Sequence, residues 1–250
     1  MHSAAWFYHF HHRLHTEDAA FWSSLATQQG DPILELGCGT GRVFLSLLEQ
    51  GYQMYGLDIR ADMLAILRAQ LHFQFGARSP APAFLWQGDM RSFRLARRFP
   101  LIILPCNTLS ALSDTDRELA LGCVYKHLAP GGVFAASIPN PAALAELEPQ
   151  SEAEIEEVFS HPGDGDPVQV SSGWTRYEAE IEFFFYYDHL HSDGRSERYI
   201  MKTRHNLAPP AAYLEALQAA GFGAIQTYGD FDRRPFRRRS PYLLLVARRG

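Results

Sequence analysis

The chain has 250 residues, 46% of them hydrophobic, with 23 basic and 28 acidic side chains and a formal charge of −5. Three cysteines, Cys38, Cys106 and Cys123, are too few and odd in number for a disulfide framework. No apolar run approaches the roughly 20 residues a membrane span needs, and the first fifteen residues carry histidines and aromatics where a secretion signal needs a bare apolar stretch; a cytoplasmic chain is expected, and the acidic balance weighs against duplex binding.

Taken in chain order, Thr16-Glu17-Asp18 predicts a helix start with Thr16 as N-cap, and Gly30 closes that helix. Ile33 to Leu36 is a short apolar strand, Gly37 to Gly41 a glycine-rich loop, and Val43 to Leu48 has helical spacing up to Gly51. Tyr52 to Leu57 predicts a second strand ending in Asp58, and Ala61 to Leu71 an amphipathic helix with Met63, Leu64, Leu67 and Leu71 on one side. Ala83 to Trp86 is a third strand that leaves through Gly88-Asp89. Leu101 to Leu104 is a fourth, Asp114 to Leu128 a capped helix, and Val133 to Ile138 a fifth strand after Pro130-Gly131-Gly132. Strands alternating with helices imply an α/β, doubly wound, mostly parallel sheet.

Beyond Pro139 the rhythm changes. Residues 149–166 are acidic and carry Pro, Gly and Asp, which predicts a surface connection. Arg176 to His191 and Glu197 to Asn206 read as strands on either side of Ser192-Asp193-Gly194-Arg195, whose Asp-Gly supplies the positive φ of a hairpin turn. Pro209-Pro210 opens another helix, Gly221 ends it, and Ala224 to Tyr228 with Tyr242 to Ala247 reads as a closing strand pair. The expected division is a helical lid over 1–30, a core over 31–148 and 207–250, and an antiparallel β insertion over 149–206 that covers the substrate.

The string Ile33-Leu34-Glu35-Leu36-Gly37-Cys38-Gly39-Thr40-Gly41-Arg42 carries the chemistry. Alternate glycines free the backbone of Cβ atoms at the carboxyl end of the first strand, where nucleotide-like ligands approach. Arg42 stands where the dinucleotide fingerprint requires Gly or Ala, which argues against nicotinamide. Glu35 offers a carboxylate suited to an ammonium group.

This string resembles the first motif of the class I S-adenosylmethionine-dependent methyltransferases, an acid, an apolar residue and G-x-G-x-G. Asp58, seventeen residues after Gly41, resembles the acid that holds the ribose hydroxyls, Gly88-Asp89-Met90 the adenine pocket, and Leu128-Ala129-Pro130-Gly131-Gly132 the turn before strand five. The four motifs cover about residues 30–140. The resemblance implies a seven-stranded Rossmann-like sheet, S-adenosylmethionine as cofactor and direct SN2 methyl transfer. It implies a cofactor site of Tyr8, Arg13, Glu35, Gly37, Cys38, Gly39, Asp58, Ile59, Met63, Gly88, Asp89, Met90, Pro105 and Asn107. Within the family the chain is most similar to small-molecule N- or O-methyltransferases of the amino-sugar and glycine or sarcosine type; Arg60 departs from the small capping Ser usual there.

A small-molecule acceptor is the expected partner, with no membrane, nucleic acid kept only for the rival reading below, and a homodimer left open. His189 and His205, on the two hairpin strands, are candidate bases for an amine that must be neutral to attack, while Arg176, Tyr187 and Arg204 are candidates to bind an anionic or sugar substrate. Pro105-Cys106 is also the dipeptide of cytosine C5 methyltransferases, but the longer patterns of that family are missing, and Cys106 is expected to be a cysteine beside the cofactor. His9, His11, His12 and His15 have helical spacings that suit a metal, yet no acid or cysteine completes a tetrahedral set; no metal is expected. The rival readings are an RNA or protein methyltransferase that uses Arg233, Arg234, Arg237, Arg238 and Arg239, and a protein that binds the cofactor without turning it over.

Overall fold

The computed structural model describes residues 4–76 and 78–250. Seven strands form one sheet in the order β10-β11-β5-β4-β1-β2-β3. They are β1 (Ile33–Leu36), β2 (Met54–Asp58), β3 (Ala83–Gln87), β4 (Phe99–Leu104), β5 (Leu128–Pro139), β10 (Phe222–Tyr228) and β11 (Tyr242–Arg249). β1 through β5 pair in parallel, while β11 runs antiparallel to both β5 and β10. All four β1 residues and all five of β2 are buried, as strands covered on both faces must be.

Helices sheathe both faces. Phe21, Trp22 and Leu25 of α2 (Ala19–Gln29), Phe44 and Leu47 of α3 (Arg42–Glu49) and Leu64 and Leu67 of α4 (Ala61–Phe75) build one core; Leu121 and Val124 of α5 (Asp114–His127) and Tyr213 and Leu217 of α7 (Pro210–Ala219) build the other. α5 starts where its sequence says: Ser113 Oγ accepts the Asp116 N–H at 3.2 Å. α2 starts later than its sequence suggests, because the Asp18 carboxylate is drawn to Arg42 and to Trp22 Nε1 and Thr16 caps nothing.

The second sheet has four antiparallel strands in the order β6-β7-β8-β9 (Glu154–Ser160, Pro167–Arg176, Glu180–Leu190, Ser196–Asn206). The surface connection expected over 149–166 therefore contains a strand, and the long run from Arg176 is broken by a turn in which the Tyr177 N–H donates to Glu180 O at 2.8 Å. β6 escaped notice because it is an edge strand whose Glu154, Ile155 and Glu156 face solvent without alternation, and charge on an edge strand discourages pairing with other chains. α1 (Ala4–His12) packs on this sheet through Ala5 and Phe7, against Val168, Val170, Tyr187 and Met201. Among the described residues no helix is long and apolar enough to cross a membrane.

Candidate active site

The order of the large sheet reverses between β1 and β4, and a crevice opens there beyond the carboxyl ends of the strands, where open α/β sheets bind ligands. A cleft of about 1290 Å³ occupies this position. Its floor is the Gly37–Gly41 loop with Glu35 and Asp58, one wall is Cys106, Asn107 and Thr108 after β4, and its cover is α1 with β8 and β9 of the small sheet.

The loop needs its glycines. Gly41, at φ +92°, leads into α3, and a Cβ there would collide with Leu67; one on Gly37, at φ +63°, would stand 3.0 Å from Thr108 Cγ2. Asp58 steadies the loop through Oδ2, which accepts the Gly39 N–H at 2.7 Å, and Oδ1, which accepts the Arg60 N–H at 2.8 Å. Burial raises the Asp58 pKa, with these two hydrogen bonds acting against it. Glu35 is 2% exposed and its Oε2 has no hydrogen-bond partner; burial raises its pKa well above the usual range, opposed by Arg42. A buried carboxylate oxygen without a donor costs about 1–3 kcal/mol or more, so its retention points to a ligand that supplies the missing N–H.

Arg42, at the start of α3, forks onto Asp18 at 2.5 and 2.6 Å, donates to His15 O at 2.6 Å and reaches Cys106 Sγ at 3.2 Å. It fastens residues 15–18 to the glycine loop. After β4, Cys106 and Asn107 both adopt left-handed backbone, at φ 58° and 61°, a strain that non-glycine residues tolerate only when the surroundings enforce it. Cys106 reaches the surface at the mouth of the cleft, and desolvation by its surroundings raises its pKa against the pull of Arg42, the opposite of what activates a cysteine nucleophile. The carbonyl of Asn107 accepts the Ser110 hydroxyl at 2.7 Å, and His205 Nδ1 lies 2.8 Å from the same Ser110 Oγ. With its own proton given to Asn107, Ser110 accepts from His205 Nδ1–H, and this leaves His205 Nε2 with a lone pair. Burial lowers the His205 pKa to about 4, so the ring is neutral.

Of the residues expected from sequence, Tyr8, Arg13, Glu35, Gly37, Cys38, Gly39, Asp58, Met63, Asn107 and His205 line the cleft. Ile59, Gly88, Asp89, Met90, Pro105 and His189 do not. Ile59 is 61% exposed, Met90 is half-buried against the core, and Asp89 is gripped by Arg91 through both oxygens. His189 corrects an expectation most clearly: it is 2% exposed, lies between the rings of His161 and His191, and sits six residues, about 20 Å of strand, beyond Phe183 in the cleft. Tyr187 is buried too, its hydroxyl 3.3 Å from His11 Nδ1; Arg176 Nε donates to Leu147 O, and Arg204 lines the cleft but pairs with Glu180 and Glu182. His11 Nε2 meets Glu156 at 3.0 Å and His12 Nδ1 lies 3.2 Å from Tyr8 O, so those histidines are bound up in holding α1. Arg42, Asp18, Phe183, Phe185 and Met201 were not anticipated; the departure of Arg42 from the dinucleotide fingerprint was the one signal available.

A methyltransferase-domain family model matches residues 33–132. The chain is an S-adenosylmethionine-dependent methyltransferase. It is 32% identical over 108 residues to the dTDP-3-amino-3,4,6-trideoxy-alpha-D-glucopyranose N,N-dimethyltransferase of Streptomyces venezuelae, a stretch covering 43% of this chain and 42% of that enzyme. Its fold is similar to that of an S-adenosylmethionine-dependent methyltransferase from Clostridium acetobutylicum ATCC 824, with a TM-score of 0.79 at 15% identity and 98% coverage of both chains. It is also similar to the amino pentose methyltransferase CalS10 of Micromonospora echinaspora, solved with S-adenosylmethionine bound, with a TM-score of 0.68 at 19% identity over 100% of this chain and 98% of that one. At these identities the structures speak for the fold alone. The residues of this methyltransferase suit the cofactor: the unpartnered Glu35 oxygen matches an ammonium group, and the Cβ-free turn at Gly37 and Gly39 leaves room for a close approach.

Proposed function

We propose that this methyltransferase methylates a nitrogen or oxygen of a small polar molecule, an amino sugar being the first acceptor to try. The observation that carries the proposal is the neutral His205 in a mixed wall, where Tyr8, Phe183, Phe185 and Met201 stand beside Lys202, Thr203 and Arg204, lining the same cleft as the glycine loop. Tyr8, Arg13, Glu35, Gly37, Cys38, Gly39, Asp58, Met63 and Asn107 would hold the cofactor, Glu35 through its ammonium group and Asp58 through its ribose. When bound, S-adenosylmethionine supplies a methyl group on a sulfonium, already an excellent leaving group.

What remains for the chain is alignment and dryness. An amine must present its lone pair, and a buried, weakly basic imidazole helps chiefly by accepting a hydrogen bond from the acceptor N–H or O–H at Nε2, orienting it; the aromatic side chains beside it and the Lys202 and Arg204 cations both disfavour the ammonium form. Residues 1–30 would act as the lid and 149–206 as the acceptor cover. Similarity to the sugar N,N-dimethyltransferase supports an amino-sugar acceptor. The RNA or protein reading has less behind it: Arg233 is held by Ser24, Arg234 by Asp232 and Arg238 by Glu146, so the basic cluster is largely paired off.

The test is incubation with S-adenosylmethionine and a panel of nucleotide-linked amino sugars, small amines, RNA and peptides, read by mass. Growth of an amino sugar or small amine by one or two methylene masses is expected; methylation of RNA or peptide alone would overturn the proposal.

A further inference from the structure

The small sheet holds a second chemical centre apart from the cleft. We propose that Asp164, Asp166, His189 and His191 bind one divalent transition-metal ion of the zinc type. Each offers one ligand atom, and the four atoms lie within 4.8 Å of one another. They come from two separate places, the β6–β7 loop and the end of β8, which the fold alone brings together.

Two of the six ligand-to-ligand edges are near those of a tetrahedral ion, and none exceeds 4.8 Å, so an ion would draw the side chains together. Zn–N and Zn–O bonds of about 2.0–2.2 Å set ligand-to-ligand edges of about 3.4 Å. His189 Nε2 stands 3.3 Å from Asp164 Oδ1, and His191 Nδ1 stands 3.7 Å from Asp166 Oδ2. Both carboxylates are aimed by donors of their own: Asp164 Oδ1 accepts the Asp166 N–H at 3.0 Å and lies 2.7 Å from His161 Nδ1, and Asp166 Oδ2 accepts the Ser192 N–H at 3.0 Å. Such outer partners fix metal ligands in place. The site is half-buried: His189 is 2% exposed, the side chains of His191 and Asp166 are 16% and 18% exposed, and that of Asp164, at 42%, faces solvent and leaves a way in for an ion. His191 Nε2 has no hydrogen-bond partner, Glu197 Oε1 lying 3.9 Å away.

The donor chemistry selects the ion. Two imidazoles with two carboxylates suit zinc, cobalt or nickel, whereas calcium and magnesium take oxygen ligands throughout. Four protein ligands close the coordination shell, which is the arrangement of a structural ion. The ion would staple the β6–β7 corner to the end of β8 beneath α1, whose Trp6 ring lies 4.8 Å from His161 and whose Phe7 ring lies 6.1 Å from His189. The proposal is independent of the acceptor and of methyl transfer.

The test takes the full chain, stripped with chelator and titrated with Zn2+ and with Co2+, and reads metal per chain by elemental analysis, the visible cobalt spectrum and the thermal midpoint. One ion per chain is expected, with tetrahedral cobalt bands that lack thiolate charge transfer and a midpoint raised by Zn2+. His191→Gln and Asp166→Asn should each weaken binding by more than about tenfold, since even outer partners of a metal are worth that much. Asp166→Asn is nearly isosteric and keeps an acceptor for Ser192 N–H, so its metal-free midpoint should stay near that of the parent chain. His12→Gln and His15→Gln should bind as the parent does. Absence of binding, binding untouched by His191→Gln and Asp166→Asn, thiolate bands, or loss of binding in His12→Gln would each overturn the site.

Discussion

Glu35 is a carboxyl group that the fold holds at a cost: it is buried, its Oε2 lacks a donor and its pKa is driven up by desolvation. A residue kept against stability is kept for a ligand. Glu35→Gln should therefore leave the unfolding midpoint level or higher while weakening S-adenosylhomocysteine binding tenfold or more, about what a hydrogen bond to a charged group contributes; calorimetry beside thermal melts reads both. His205 and His12 make a second expectation, since burial holds their pKa values at about 4 and about 3. Below the ordinary histidine range near 6.5 the unfolded chain takes up protons that these folded imidazoles refuse, so their contribution to stability falls as pH drops from about 6.5 toward 4, while the raised Glu35 and Asp58 carboxyls push the other way. Melts of the parent chain and His205→Asn across that window isolate the histidine part: the parent's midpoint should lose more than the variant's as pH drops. Glu35 and Asp58 were legible in the sequence because their distances from the glycines are fixed by a four-residue strand and a single βα unit. His189 was misplaced for the converse reason: alternation along a strand gives the face of a residue but not how far along that face the cleft reaches.

The elements that position the cleft are tied by one buried ion pair. Arg42 begins α3 and Asp18 precedes α2, with side chains 19% and 4% exposed. Removing one partner strands the other, a loss of about 3–5 kcal/mol for a buried pair. Arg42→Ala should lower the unfolding midpoint accordingly and also release residues 15–18 from the glycine loop, raising KM for the cofactor; chemical denaturation and steady-state kinetics test the two parts. Sequence reasoning treated Asp18 as part of a helix start, because an acid ahead of an apolar run is what a cap looks like. Only the fold reveals that Arg42, 24 residues later, takes that carboxylate. Gly41→Ala should be equally telling within its own element, since the added methyl meets Leu67 and the backbone is left-handed; it should destabilise by a few kcal/mol, the combined size of overpacking and backbone strain.

On the scale of the whole molecule, the Rossmann-like sheet supplies the floor and the four-stranded sheet with α1 supplies the roof. The alternation of apolar strands with helices made the first readable to within a few residues at each end. The second was half readable: β8, β9 and their Asp193-Gly194 turn carry aromatic and β-branched runs, whereas β6 is an acidic edge and β7 begins at Pro167. The proposed function puts the acceptor in the cleft beneath this roof, and on that reading the exterior arginines should not matter to turnover. Replacing Arg237 and Arg239 together by alanine should leave methyl transfer to a small acceptor unchanged, while deletion of residues 1–12 should sharply reduce it, because Phe7 no longer backs the sheet that carries Phe185 and Met201.

The most direct measurement is a calorimetric titration of S-adenosylhomocysteine into the parent chain and Asp58→Asn. One molecule should bind per parent chain, and Asp58→Asn should bind more than about tenfold more weakly, the size of one lost hydrogen bond to a charged group, while still melting cooperatively. Equal affinity in the two chains, or no binding to the parent, would contradict the placement of the cofactor on the Gly37 loop and Asp58.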